Sequence, residues 1–395
     1  MINEEKPTMD DPALDDPFSP APDDRHRAVP LKGRGTATRL AHRFDSTQRA
    51  SELDNTPIPH AGDDEFAIEG VPVTSVVHEQ ARSILTRNDS PDIPFRWSIN
   101  PYRGCEHGCI YCYARPTHSY LNLSPGLDFE TQLVAKVNAA ELLRKELSRA
   151  LHEPSPVNIG SATDAYQPIE RELRITRGVL EVLTECQHPF TIVTKSSGVE
   201  RDIDLLALAA QRRQTAVFIS ITSLDSSLSR KLEPRAAAPH RRLQTVKRLS
   251  EAGVPVAVNV APIIPFLNEP EIERIVAAAA EAGARSVHYT IVRLPWEVNP
   301  LFQEWLSHHV PERADRIMAR IRDMRGGADY RAEFGVRMKG QGIWADLIRQ
   351  RMNAARQRAG ITGLGPVLDS SAFTPFAAPP RQRAVQASPD QTELF

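Results

Sequence analysis

Six short apolar, β-branched segments alternate with stretches of helical spacing, and that alternation leaves the chain few folds to choose from. The segments are FRWSINPY (95–102), PVNIGSA (156–162), FTIVTKS (190–196), TAVFISITS (215–223), PVAVNVAPI (255–263) and SVHYTIVRL (286–294). Each has the length and apolarity of a strand buried on both faces. Between them, pieces such as DFETQLVAKVNAAELLRKELSRAL and NEPEIERIVAAAAEAG have helical periodicity. In EAGVP and EAGAR a glycine stands where a helix must stop before the next strand. Strand–helix alternation predicts an α/β fold with a parallel sheet and right-handed crossovers. Six units suit an incomplete (β/α)6 TIM-like barrel over residues 95–297, with a flat doubly wound sheet as the alternative. Beyond it, LFQEWLSHHV, ERADRIMARIRDMR and GIWADLIRQRMNAARQRA predict a helical annex over 298–360.

The ends differ from the middle. Residues 1–30 hold eight acids, three bases and six prolines, too little apolar surface to offset the entropy of ordering. Residues 31–49 reverse the sign, with five bases and one acid. They read either as solvated linker or as an arm that docks on the barrel or on an anionic partner. The expected layout is a disordered N-terminal tail over 1–62 with its basic segment at 32–49, an N-terminal extension over 63–94, and a disordered tail over 361–395.

A formal net charge of -2 neither requires nor rules out a nucleic-acid partner. No apolar run approaches the roughly 18 residues that span a bilayer, so no membrane partner is expected. The opening MINEEKPTMDD lacks the basic and apolar regions of a signal peptide. Four cysteines in 395 residues make no disulfide framework, so a reducing cytoplasm is the expected location.

Three of those cysteines, Cys105, Cys109 and Cys112, follow C-x3-C-x2-C in the loop after the first strand. At the C-terminal mouth of a barrel, that is where active sites of such folds collect. Three thiolates suit an iron–sulfur cubane with one iron left open to an outside ligand. A zinc site completed by His107 or His118, and plain buried thiols, are the other readings.

The motif and its flanks, SINPYRGCEHGCIYCYARPTH, together with GSATDAYQPIER and APIIPFLNEPEI, resemble the radical SAM superfamily, and more narrowly its spore-photoproduct-lyase-like branch. The resemblance runs over about residues 70–350. It implies a [4Fe–4S] cluster on the three cysteines, with S-adenosylmethionine on the open iron. Reductive cleavage would then yield methionine and a 5′-deoxyadenosyl radical, the protein supplying orientation and shielding. It also implies a one-electron donor of the flavodoxin or ferredoxin type.

The strand ends supply candidates to hold that cofactor. Thr163 and Asp164 would receive the methionyl ammonium, a turn or cap role being the alternative for Asp164. Lys195 would pair the carboxylate, with a solvated lysine as the alternative; Ser220 and Thr222 would meet carboxylate or ribose oxygens, or else have their hydroxyls satisfied by backbone. Asn259 and Ala261 match the family's adenine-side segment, and Tyr111 would pack on adenine, an ordinary buried aromatic being the alternative.

One departure matters. Spore photoproduct lyase is thought to use a further cysteine near its substrate as hydrogen donor, but the only spare one here is Cys186. It falls at the end of a helix on the barrel's opposite face, a structural position, so the lyase's own reaction is not carried over. Tyr113 and Tyr120 are the candidate hydrogen donors, with ordinary packing as the alternative.

On the substrate side, Arg293 after the sixth strand suits a phosphate or carboxylate and Trp296 a stacked ring, the alternative being a salt bridge from Arg293 to a barrel acid with Trp296 packed under the annex. Arg337 and Lys339 add positive charge, and with the resemblance they make a DNA or RNA base the first substrate to test. Two rivals stand beside the enzyme. One is a zinc-stabilised nucleic-acid-binding protein, the other a non-catalytic iron–sulfur redox sensor.

Overall fold

The computed structural model describes residues 31–44, 73–149, 152–363 and 365–377. Among the described residues ten strands form two sheets: β1 (Ser75–Glu79), β2 (Leu85–Arg87), β3 (Trp97–Ile99), β4 (Tyr102–Arg103), β5 (Gln132–Lys136), β6 (Val157–Ile159), β7 (Phe190–Thr194), β8 (Thr215–Ser220), β9 (Val256–Ile263) and β10 (Ser286–Ile291). The larger sheet has the order β10-β9-β8-β7-β6-β3-β2. Its six strands from β3 to β10 run parallel in sequence order, and only the edge strand β2 is antiparallel. This is the incomplete barrel, open between β10 and β2.

The strands are apolar throughout because both faces are covered. In β8 five of six residues are buried, among them Val217 and Ile219 at 0% exposure. Helices Ile175–Glu185, Ile203–Gln211, Pro239–Glu251 and Ile272–Glu281 cover the outside. Gly253 and Gly283 have φ of 80° and 96°, so each ends its helix in the left-handed conformation that glycine adopts without strain. The annex is present as helices Val298–His309, Ala314–Asp323 and Gly342–Arg358. The last packs on Ile272–Glu281, where Arg351 pairs with Glu269 and Glu273 at 2.5 and 2.8 Å. Among the described residues no helix is long and apolar enough to cross a membrane.

Three expectations change. The stretch 128–151, read as one helix, contains β5 before helix Ala139–Leu147. Its Leu133 and Ala135 are buried while Gln132 and Val134 are half-buried, a period of two. So short a run fits either period, and pairing with β1 and β4 decides it.

The basic segment is not wholly tail. Over 31–44 it docks on the barrel: Thr38 O accepts from Leu127 N at 2.9 Å, Arg39 pairs with Asp128 at 2.9 Å, and Arg43 with Glu297 at 3.2 Å.

Part of the C-terminal tail is also placed. Over 365–377 it crosses the barrel's N-terminal face, where Thr374 N donates to Cys186 O at 2.9 Å. Cys186 is buried there at the end of its helix, away from the mouth. The disorder expected for 1–30, 45–62 and 378–395 lies outside the described residues.

Candidate active site

The cysteine loop is held from within by a buried cation. Arg115, 0% exposed, donates Nε to Cys109 O at 2.9 Å and Nη2 to Gly108 O at 3.2 Å. Its Nη1 reaches Pro125 O and Gly126 O at 3.3 and 2.9 Å. Glu130, also 0% exposed, takes the charge: Oε1 lies 2.5 Å from Arg115 Nη2, and Oε2 accepts Gly35 N at 2.9 Å. One guanidinium thus ties four carbonyls of the loop and its return to a single conformation. Two buried unit charges of this kind are stabilising only as a pair.

Cys105 and Cys109 are buried and Cys112 half-buried. Burial, then the charges of Asp164 and Cys109, push the Cys105 thiol up. Burial also pushes Cys109 up to about 12, against the pull of Lys195. Such thiols ionise when positive charge is brought to them, which is what a cluster of iron ions supplies. The donor set therefore fits an iron–sulfur cluster. Among the described residues no three His, Cys, Asp or Glu side chains are already set at the spacing of a bound metal ion, so the assignment rests on the chemistry and sequence of the triad. Each of the two histidines that might have completed a zinc site has one ring nitrogen engaged, while His118 Nδ1 is buried without a partner. His118 Nε2 lies 2.8 Å from Gln132 O and its ring meets Phe129 edge-on, while His107 Nδ1 faces Asp164 at 3.2 Å.

The loops after the next strands close around this loop. Asp164 accepts from Tyr166 N and Thr194 Oγ1 on one oxygen, at 2.9 and 2.7 Å. Its other oxygen takes Lys195 N at 2.7 Å and faces His107. Burial works against its charge, but the His107 ring and these donors outweigh it and hold the carboxyl well below the usual range. Thr163 Oγ1 donates to Gly104 O at 2.7 Å. Both candidates for the cofactor's ammonium thus have their polar atoms satisfied inside the protein, the turn role that was the alternative for Asp164.

Tyr111 is likewise engaged. It is 6% exposed; its hydroxyl bonds Glu233 and lies 3.2 Å from Thr222 Oγ1. Thr222 Oγ1 reaches Glu233 at 2.5 Å and Ala261 O at 3.1 Å. Arg242, 1% exposed, completes the network on Glu233 and donates to Ser220 O at 2.9 Å. Burial, then Glu233, pushes the Tyr111 phenol far up, so it stays a donor.

Three candidates keep polar atoms in reserve. Among the described residues Lys195 Nζ, Ser220 Oγ and the Asn259 amide form no hydrogen bond. Lys195 Nζ sits 5.8 Å from the Tyr111 ring centre, and the charges of Cys109 and Glu233 push it up despite burial. Ser220 and Asn259 are partners across β8 and β9.

The substrate-side candidates separate. Tyr113, half exposed, donates to Ser161 O, and Arg293 lies over its ring at 5.1 Å. Tyr120 stands apart, 70% exposed, against Phe44 and Arg43. Arg43 also covers the exposed Trp296 at 4.3 Å. Arg337 is held by Asp92 at 2.5 Å, and Lys339 donates to Tyr289 O at 2.5 Å, burial bringing it down to about 8. Arg337 thus has its charge taken by a carboxylate, whereas Lys339 has only a carbonyl and the Tyr289 ring as partners.

Sequence reasoning missed Arg115, Glu130, Glu233 and Arg242. The one local signal is an arginine three residues after the third cysteine, in CYARP; its partner is set by the tertiary fold.

Residues 99–279 match the Radical SAM superfamily profile. An uncharacterised protein of Mycobacterium tuberculosis is 37% identical over 226 residues, 57% of this chain and 66% of that one. The chain thus spans under two thirds of that relative's length. An uncharacterised protein of Methanocaldococcus jannaschii is 28% identical over 217 residues, 55% of this chain and 77% of its own. Among solved structures, a spore photoproduct lyase variant with dinucleoside spore photoproduct superposes with a TM-score of 0.52 at 17% identity, over 72% of this chain and 79% of that one. That likeness is one of fold. Residues 99–279, which hold the cysteine loop and most of the barrel, thus form a radical SAM domain, of the superfamily whose cofactors are a [4Fe–4S] cluster and S-adenosylmethionine.

Proposed function

We propose that the chain is a radical S-adenosylmethionine enzyme acting on a nucleic-acid base. The observation that carries the first half is the C-x3-C-x2-C loop, fastened by buried Arg115 at the mouth of a six-stranded parallel barrel. Cys105, Cys109 and Cys112 would hold the cluster. When bound, the cofactor pair supplies one-electron cleavage of the sulfonium to methionine and a 5′-deoxyadenosyl radical. The protein's part is binding and exclusion. Lys195 Nζ is the cation for the methionyl carboxylate, Ser220 and Asn259 offer polar atoms to the rest of the cofactor, and Ala261 lies beside them. Glu233 and Arg242 fix Tyr111 and Thr222 in a buried network, which would give the cofactor a wall that is held in place and shielded from water. A dry, rigid wall protects a carbon radical from water and stray C–H bonds. Asp164 and Thr163 hold the floor, Asp164 through Lys195 N and His107.

Two features support a nucleic-acid base as substrate. The lyase whose fold this chain shares holds a dinucleoside photoproduct, and the mouth presents the guanidinium of Arg293. That lyase's own reaction is not proposed, because Cys186 is on the other face; Tyr113, at the mouth, is the candidate hydrogen donor. The electron would come from a flavodoxin or ferredoxin type of donor in the cytoplasm.

Anaerobic reconstitution with iron and sulfide, then dithionite and S-adenosylmethionine, tests the enzyme reading. Release of 5′-deoxyadenosine is the expected result; a full cluster complement with no release rejects it, leaving a redox sensor. A colourless protein containing only zinc would return the zinc-stabilised reading. Anisotropy titrations of DNA and RNA at about 50 and 200 mM salt test the substrate class, since binding through phosphates weakens steeply with salt. No binding at the lower salt removes nucleic acid.

A further inference from the structure

Arg293 has an uncommon setting for an arginine. Its Nη1 has only Met338 Sδ, at 3.5 Å, and its Nε is buried without a partner. The centre of its guanidinium lies 5.1 Å from the centre of the Tyr113 ring. Behind it stands Arg325, 0% exposed, donating Nη2 to Val292 O at 2.9 Å and Nη1 to Val336 O at 2.7 Å. Arg325 Nε is also orphaned. Nearby arginines all have carboxylates: Arg322 has Asp329 at 2.6 Å, Arg337 has Asp92 at 2.5 Å, and Arg331 has Glu333 at 3.7 Å. Among the described residues Arg293 and Arg325 have none.

Two like charges side by side, one fully desolvated, are costly unless an anion offsets them. Burial, then the charge of Arg293, bring Arg325 down to about 10. Arg325 pins the carbonyl of the residue that precedes Arg293, which sets where that side chain begins. Arg293 itself is half-buried and faces the mouth beside Tyr113, one residue past the third cysteine.

We propose that Arg293, positioned and reinforced by Arg325, forms an oxyanion subsite at the barrel mouth that takes a phosphate or carboxylate group. The planar fork of Arg293 suits two oxygens of one such group. Calling it part of an active site rests on the functional reading above; the anion binding does not. Two sources carry this chemistry there, the carboxylate of S-adenosylmethionine and a phosphate on the substrate.

The test is calorimetry on the cluster-loaded full chain and on Arg293→Gln, with inorganic pyrophosphate, S-adenosylmethionine and decarboxylated S-adenosylmethionine as probes. Chloride at matched ionic strength is the control. The wild type should bind pyrophosphate above the chloride control, and Arg293→Gln should weaken it about tenfold or more. If only pyrophosphate binding falls, the subsite serves a substrate phosphate. If S-adenosylmethionine weakens too while its decarboxylated form is indifferent to the substitution, it serves the cofactor carboxylate. Should Arg293→Gln fail to fold, Arg293→Lys keeps the charge, loses the fork, and carries the same comparison. Pyrophosphate bound no better than chloride, with S-adenosylmethionine held equally by both chains, overturns the subsite. A wild type that binds pyrophosphate yet releases no 5′-deoxyadenosine would instead strike the enzyme reading alone.

Discussion

Gly35 lies so close to Gly108 that a β-carbon on Gly35 would sit 1.8 Å from the Gly108 carbonyl oxygen. The N-terminal arm therefore touches the cysteine loop at backbone distance. Gly35 N also donates to Glu130, the carboxylate that pairs with Arg115, so arm, ion pair and loop form one unit.

Gly35→Ala should then disturb the cysteine loop from 70 positions away in sequence. The backbone has no flexible side chain to move aside, and overpacking of this kind costs about 1–3 kcal/mol. The expected outcome is a lower melting temperature and less iron per chain after reconstitution. Unchanged iron content and stability would show that the arm does not support the loop.

The triad itself makes a sharper contrast. Cys→Ala at Cys105, Cys109 or Cys112 should each abolish the brown chromophore, whereas Cys186→Ser should keep it. Cys186 is buried against Leu183 and the 365–377 segment, so its loss is one of packing and costs some stability. Visible absorbance and iron analysis on the four variants decide this. Iron lost on substitution of Cys186 would contradict the placement of the two faces.

How far the sequence carried can be judged from particular residues. The six parallel strands and the cysteine loop were legible because buried strands are continuous apolar runs and thiolate spacing is local chemistry. β5 was not, since a run as short as LVAK fits a helix as well as a strand until β1 is there to pair with it. The docking of 31–44 was open between two readings because its anchors, Glu130, Glu297 and Glu304, lie about 90 to 270 residues away. Buried pairs such as Arg115–Glu130 and Arg242–Glu233 look like any surface charges in a sequence; only the fold desolvates them. For the same reason the sequence did not show that the oxygens of Asp164 and Thr222 are engaged by the protein itself.

The far face carries a pH dependence. His152 Nε2 lies 2.8 Å from His188 Nε2, and His188 Nδ1 lies 3.0 Å from Pro189 O, with Phe373 edge-on to both rings. Facing nitrogens at that distance accommodate one proton between them. Burial, opposed in part by the Pro189 carbonyl, takes His188 down from 6.5 to about 4. The folded state thus binds the proton less readily than the unfolded one. As pH falls from 6.5 towards 4 the unfolded chain protonates first, and stability is lost across that window. Urea midpoints should drop over that range in the wild type and stay flatter in His188→Gln. Parallel curves would remove the pair as the cause.

Lys195 and Asp164 separate binding from scaffolding. Lys195 Nζ forms no hydrogen bond within the described residues, so Lys195→Met leaves nothing in the protein unpaired. It should keep the cluster and the melting temperature and weaken S-adenosylmethionine binding. Loss of a charge-assisted contact is worth roughly 1.5–3 kcal/mol, or about 10- to 150-fold. Asp164→Asn differs, because the carboxylate accepts from Tyr166 N, Thr194 Oγ1 and Lys195 N and faces His107. An amide turns one of its two acceptors into a donor and sets it against groups that donate. That conflict costs about 1–3 kcal/mol in a buried site and lets the Lys195 backbone drift. Asp164→Asn should therefore lower stability and cofactor affinity together, and Lys195→Met affinity alone. Calorimetric Kd values and melting curves for both variants check the pair. If Lys195→Met binds S-adenosylmethionine like the wild type, the cation for the carboxylate lies elsewhere, and Arg293 becomes the residue to substitute next.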